Sequence, residues 1–476
     1  MSVSDPTALT LRQAASAIAQ GRLHAEALVD ACYDRVERLQ PTLNCFIRTA
    51  PDPARAKARA ADMAVKAGRT TGPLHGVPLA HKDMFYRVGE ICSCGSKIRA
   101  DYVPDHTATV LKRLDVAGGI ELGRLNMAEF AMGPTGHNDH FGRCRNPWNP
   151  EYITGGSSSG SGAAVAAGLV FGALGSDTGG SVRLPAAACG VVGIKPTLGR
   201  VSRYGTMPLS QSLDCVGVLA RSVGDCARLL SVIAGADSND GLASRHTVPD
   251  YERGLDQALD PRSLAGITVG VPDRYYYEGT DGEVAELLAA SRAIFEKRGA
   301  KIVDVPVGDH GAVNDLSNAI LWPEGAALHL SSLRDRAHDY ASQTRARLLV
   351  GLGVPATLYL EATRARTPLL EELLQRTFSK CDVLQVPVLK RPVPTAIETD
   401  VGGGAAMQEI LGQIVANTRP FNYFGLPALS VPIGFTRNGL PQAMQLVARP
   451  FREDVLFRVG AAYEAAVGGF TARPPL

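Results

Sequence analysis

The chain has 476 residues with 49 Lys+Arg against 47 Asp+Glu, a formal net charge of +2. So even a balance leaves no electrostatic footprint for nucleic acid or an anionic membrane surface. Charged residues at 20% and aromatics at 6% mark a packed globule rather than a disordered chain, long enough for an ample core.

The segment MSVSDPTALTLRQ carries an acid and no apolar h-region, so no signal peptide is expected. Leu11, Ala14, Ala15 and Ile18, then Leu28, Cys32 and Val36, recur at helical spacing and predict a helical N-terminal part of about residues 1–70. In PLHGVPLAHKDMF, Val77 and Leu79 beside the turn formers Gly76 and Pro78 predict a short strand that delivers Lys82 and Asp83. Thr107 to Gly118 reads as a helix and GGIELGRLNM as a strand feeding a loop. That loop ends in His137-Asn-Asp139-His140, ligand-type residues at close spacing; no third, distant ligand is evident, and no metal is expected.

No residue from Tyr152 to Ser176 is charged, but the apolar run Ala163 to Leu174 is too short to span a bilayer, so no membrane segment is expected. Glycines interrupt its apolar stretches, the mark of tightly apposed backbone. Further on, GITVGVP, a helix from about Glu283 to Gly299 and KIVDVPV predict a parallel, right-handed β-α-β unit with Val284, Leu287, Leu288 and Phe295 as its buried stripe. CDVLQVPVL, PALSVPIGF and QAMQLVA read as strands, Gly402 to Gly404 as a mobile loop, and Glu453 to Val467 as a closing helix. Neither a repeat nor a linker interrupts this pattern. One large α/β domain over 1–476 is expected, a mixed twisted sheet with helices on both faces.

Nine scattered cysteines, from Cys32 to Cys381, form no disulfide framework and fit a cytoplasmic location. Cys92 and Cys94 lack a second pair at zinc-ligand spacing and read as small packed residues.

The chemistry concentrates in GGSSSGSGAAVAAGLVFGALGSDTGGSVRLPAAACG. It lacks the phosphate-binding GxxxxGK[ST] pattern. Gly156-Ser157-Ser158-Ser159-Gly160 matches GxSxG with Ser158 central, a pattern that also needs a downstream acid and histidine. None of His246, His310, His329 and His338 sits in a strand-end context. Ser181 is a second candidate. It follows Asp177-Thr178-Gly179-Gly180, where two glycines let successive backbone N–H groups converge as an oxyanion hole requires. Its hydroxyl needs a base, and a lysine buried without charged neighbours is neutral; Lys82 is the candidate.

These residues resemble the amidase signature family and its Ser–cis-Ser–Lys triad. The resemblance runs from Gly155-Gly156-Ser157-Ser158 to Asp177-x-Gly179-Gly180-Ser181-x-Arg183-x-Pro185, with the lysine motif Gly76-Val-Pro-Leu-Ala-His-Lys82-Asp83 upstream. It continues through Asn146-Pro147-Trp148, Gly193-Ile-Lys195-Pro196-Thr197, Pro420-Phe421-Asn422 and Gly425-Leu-Pro427. It implies a signature core of about 71–235, with the remainder completing the sheet and pocket. It also implies an amidohydrolase for a small-molecule amide, with no cofactor or metal and, as in many relatives, a homodimer. Ser181 would be the nucleophile, and Ser157, in a cis peptide, would relay its proton to neutral Lys82. The amides of Thr178, Gly179, Gly180 and Ser181 would hold the oxyanion. Ser158, Asp177 and Arg183 would orient the loop, and Ala131, Met132 and His137 would border the acyl pocket.

A relative with the same triad, the glutaminase subunit of the tRNA-dependent amidotransferase, is the alternative. Asn126 to Gly133 and Arg203-Tyr204-Gly205 resemble that subgroup. Against it, Val415 stands where the subgroup has an aspartate for the glutamine amine, and its EVKRR-type stretch is missing around Tyr340 to Val350. A non-catalytic binding protein is disfavoured because all three triad residues are present. The segment from about Trp322 to Leu360 should line the pocket but shows no legible pattern.

Overall fold

In the computed structural model, which describes residues 5–476, eleven strands form one sheet. They are β1 (Phe46–Thr49), β2 (Pro78–Lys82), β3 (Ile120–Leu125), β4 (Gly172–Asp177), β5 (Val192–Lys195), β6 (Cys215–Ala220), β7 (Thr268–Pro272), β8 (Lys301–Val305), β9 (Val383–Pro387), β10 (Ala428–Phe435) and β11 (Pro441–Ala448). Their order is β1-β3-β2-β4-β6-β5-β10-β11-β9-β7-β8. Parallel pairs occur at β2 with β3 and β4 and at β7 with β8 and β9; the rest are antiparallel, so the sheet is mixed. Helices flank it. The chain is a single α/β domain.

The expected β-α-β unit forms from β7, the helix Gly282–Lys297 and β8, in parallel register from Thr268↔Lys301 to Pro272↔Val305. Val284, Leu288 and Phe295 are fully buried. Leu287 is only half-buried, with its end over Gly434 of β10. The uncharged run divides into the helix Ser159–Ala166 and β4, both buried throughout. Among the described residues, no helix is long and apolar enough to cross a membrane. Gly402–Gly404 form an exposed turn leading into the helix Ala406–Val415, with Gly403 close to the Ser342 carbonyl.

Two features of the sheet position the site. β2 and β4 run parallel with Leu79↔Gly172 and His81↔Leu174 in register, so their carboxyl ends carry Lys82 and the Ser176–Asp177 pair side by side. Such an edge is where open α/β sheets place ligands. The helices His310–Arg336 and Ser342–Leu352 supply a further wall.

Candidate active site

Lys82, the last residue of β2, is completely buried. Its Nζ donates to Ser157 Oγ at 2.6 Å and to Ser176 Oγ at 2.8 Å. Burial pushes the Lys82 ammonium down to about 7, against a weaker upward pull from Asp214, Asp177 and Cys94. Asp83 points away: its Oδ2 accepts the Ser93 amide at 2.9 Å and the Ser93 hydroxyl at 2.5 Å. The neighbouring His81 is pushed by burial to about 4, and its Nδ1 accepts the Leu174 amide, so it stands neutral within the core. Ser157 is buried, and the Gly156–Ser157 peptide bond is cis. Ser176 escaped the sequence reading. Its only local signal is a polar residue that follows the apolar run GALG, next to Asp177.

The turn after β4 is held by a buried ion pair. Asp177 and Arg183 are both fully buried and meet in two bonds, Nε to Oδ2 at 3.0 Å and Nη2 to Oδ1 at 2.9 Å. Burial pushes the Asp177 carboxyl up, but the Arg183 guanidinium and the Asn422 amide outweigh it and hold it well below the usual carboxylate range. Arg183 also donates to Thr418 O, Gln445 Oε1 and Asn422 Oδ1, so the network is satisfied on both sides. Arg183→Met would leave a buried carboxylate without its counter-charge, which typically costs about 3–5 kcal/mol. Urea unfolding of that variant at pH 7 is expected to show a loss of this size. A loss under ~1 kcal/mol would mean the pair does not hold the turn.

Within the turn, Gly180 has φ +130°, and a side chain there would collide with Thr418. The Gly180 amide donates to Asp177 Oδ1 at 2.8 Å, so it is already engaged and differs from the expectation of four free donors. The amides of Thr178, Gly179 and Ser181 form no hydrogen bond among the described residues. Thr178 Oγ1 donates to the buried Asp214 at 2.5 Å, which also accepts the amides of Leu209 and Ser210. This ties the 207–214 loop to the turn.

Ser181 is half-buried and lines a cavity of about 60 Å³ together with Thr178, Gly179, Ala131 and Met132. Trp322 and Arg347 come from the segment in which no pattern was legible; Arg419 was not foreseen at all. His137 does not line this cavity: its Nε2 meets Thr399 Oγ1 at 3.1 Å, facing the short helix Ala396–Thr399. His140 instead binds Glu129 at 2.8 Å, and Asp139 is exposed. Among the described residues no group of three or more His, Cys, Asp or Glu is arranged to hold a metal ion.

Ser158 is fully buried. Its hydroxyl bonds the backbone of Ser176 in both directions at 3.3 Å, which leaves it out of the cavity. Cys92 and Cys94 are buried, unpaired thiols with their sulfurs 3.9 Å apart. A much larger cavity, about 1470 Å³ between the first helix and the C-terminal helix, contains none of the triad. Size is no guide here, since the narrow cavity is the one with a hydroxyl beside free amide donors.

Comparison with known proteins finds relatives over nearly the whole chain. The amidase family profile matches residues 27–457. A glutamyl-tRNA(Gln) amidotransferase subunit of Chloroflexus aurantiacus is 37% identical, covering 98% of each chain. A solved structure of a vestigial protein complex, one that reveals the evolutionary origins of an s-triazine catabolic enzyme, superposes with a TM-score of 0.89 at 31% identity. That match covers 98% of this chain and 100% of the other. Native peptide amidase from Stenotrophomonas maltophilia gives 0.83 at 28% identity, over 98% of both.

Proposed function

The chain belongs to the amidase family, and we propose that it hydrolyses carboxylic amides through an acyl-enzyme on Ser181. The observation that carries this reading is the 2.6 Å contact between buried Lys82 and Ser157, at the edge of a turn in which the amides of Thr178, Gly179 and Ser181 are free. Neutral Lys82 accepts the proton of Ser157 as Ser157 takes that of Ser181. Ser181 Oγ then bonds to the amide carbon, and the oxyanion is held by the amides of Thr178, Gly179 and Ser181. Collapse breaks the C–N bond, and the proton returns from Lys82 through Ser157 to the leaving nitrogen. Water, deprotonated by the same relay, releases the acid and restores Ser181. Ser158, Asp177 and Arg183 position the loop and do not react. No step needs a metal or cofactor. Residues 1–476 act as one amidase domain, and nine cysteines without a disulfide fit a cytoplasmic location.

A second reading, the glutaminase component of an amidotransferase, is favoured by the identity to the Chloroflexus protein. The purified chain, without partners, offered aryl, aliphatic and urea-like amides and glutamine, separates the two. Release of amine or ammonia by the chain alone is expected. Ammonia from glutamine only in the presence of partner proteins would replace the first reading with the second, and no turnover in either case would leave a binding protein.

A further inference from the structure

The loop 207–214 runs between two cavities. Leu209 lines the one that opens on Ser181, while Met207, Gln211 and Asp214 line a second, of about 1010 Å³, that also reaches Ser176. No helix or strand lies within the loop. A segment of irregular backbone with space on both sides keeps its shape through the side chains that pin it.

Two carboxylates supply the pins. Asp214 faces the catalytic turn and accepts the Thr178 hydroxyl at 2.5 Å, together with the amides of Leu209 and Ser210. Glu324, on the helix His310–Arg336, takes hold of the loop itself. Its Oε2 accepts Ser210 Oγ at 2.5 Å and the Ser212 amide at 3.0 Å. Its Oε1 accepts Ser212 Oγ at 2.5 Å and Tyr359 Oη, from the helix Ala356–Arg376, at 3.1 Å. Hydrogen bonds to a carboxylate are about twice as strong as neutral ones, and here four donors converge on one group. Ser210 is the shared member, with its hydroxyl on Glu324 and its amide on Asp214.

The next residue in the helix sets the distance. A Cβ on Gly325 would stand 2.8 Å from Met132 Cε and 3.4 Å from Leu209 Cδ1, so its absence lets the helix approach the acyl cavity this closely. Glu324 itself touches neither the triad nor that cavity. Its influence reaches the site through Thr178, whose amide is one of the free donors of the turn. We propose that Glu324 is a positioning residue, acting through Ser210, Asp214 and Thr178 to aim the Thr178 amide at the oxyanion. This rests on the hydrolytic reading of Ser181.

The test is a double-mutant cycle between Glu324→Ala and Thr178→Val, the second keeping its size while losing the hydroxyl. The substrate is whichever amide of the aryl, aliphatic and urea-like panel wild type cleaves fastest. Glu324→Ala is expected to lower kcat about tenfold or more with KM within about threefold, since an oxyanion donor acts on the transition state. Thr178→Val should lose a similar factor. The double variant should lose no more than about threefold beyond the larger single loss, because both changes cut one chain of contacts. Losses that multiply, a Glu324→Ala loss confined to KM, or an unchanged kcat would overturn the proposal. Should Glu324→Ala fail to fold, Ser210→Ala cuts the shared link by one hydroxyl and takes its place throughout.

A second measurement avoids turnover. Hydrogen exchange in Glu324→Ala is expected to speed up at the Leu209 and Ser210 amides, which Asp214 holds, and also at the Gly180 and Val182 amides of the turn, which Asp177 holds. Faster exchange at the loop alone, or at neither, counts against the proposal. If no amide is hydrolysed yet the turn loosens in this way, the hydrolytic reading fails while the hold of Glu324 on the turn stands. Hydrolysis with losses that multiply is the reverse case.

Discussion

Ser181→Ala is expected to lower kcat/KM for any hydrolysed amide by about 10⁴-fold or more, the scale seen when an acyl-transfer nucleophile is removed. The fold should be little affected. Ser181 is half-buried, and its hydroxyl forms no hydrogen bond among the described residues, so truncation leaves no buried polar group unpaired. The melting temperature should stay within a few degrees of wild type. Ser158→Ala should behave in the opposite way. Its hydroxyl bonds the Ser176 backbone at 3.3 Å, so the variant loses stability first and activity only as the Ser176 strand end shifts. Rates near wild type in Ser181→Ala, with collapse in a well-folded Ser158→Ala, would transfer the nucleophile to Ser158.

The contrast between these serines also shows what local pattern can and cannot disclose. GxSxG around Ser158 is a spacing, and spacing does not tell which way a hydroxyl points. The seat of the Ser159–Ala166 helix start against β4 decides that, and it turns Ser158 toward the Ser176 backbone. Lys82 and the turn at Asp177–Ser181 were legible because a strand end and paired glycines are local features. Ser176 was not, since its contact with Lys82 arises from parallel strands far apart in the chain. Nor could spacing show that Asp177 already engages the Gly180 amide.

Seven of the eleven strands were legible, because buried strands of mixed sheets read as short apolar runs. β1, β4, β5 and β6 were not, the middle two lying in the Gly-rich stretch where glycines break up the apolar runs. Nor was the order of the sheet. The helices His310–Arg336 and Ala356–Arg376 were missed for a physical reason. Each contains an internal proline, Pro323 and Pro368, and each exposes leucines (Leu328 and Leu330, Leu358 and Leu360) that blur the apolar stripe. The pocket wall they help to build was hidden with them. Arg347 and Arg419 come from separate helices and share no sequence signal, only a cavity.

Lys82 carries the second large effect, and pH is the way to see it. A lysine base must be neutral before it can accept the Ser157 proton. Burial pushes Lys82 to about 7, so its ammonium dominates below that pH and the free amine above it. On this account kcat/KM rises with pH through a midpoint near 7, about tenfold per unit on the acid limb, and stays high on the alkaline side. His81, pushed to about 4, supplies no ionisation there, and Asp83 is turned away from the relay toward Ser93. Lys82→Met keeps a similar unbranched shape without the amine. It is expected to lose about 10³-fold or more of kcat/KM and the limb with it. Ser176→Ala removes an acceptor that stabilises the ammonium, so its midpoint moves to lower pH while the shape of the profile persists. The measurement is kcat/KM from about pH 5 to 10 on one amide for wild type and both variants. A limb that survives in Lys82→Met belongs to another group, and one that disappears with a histidine substitution instead would make that histidine the base.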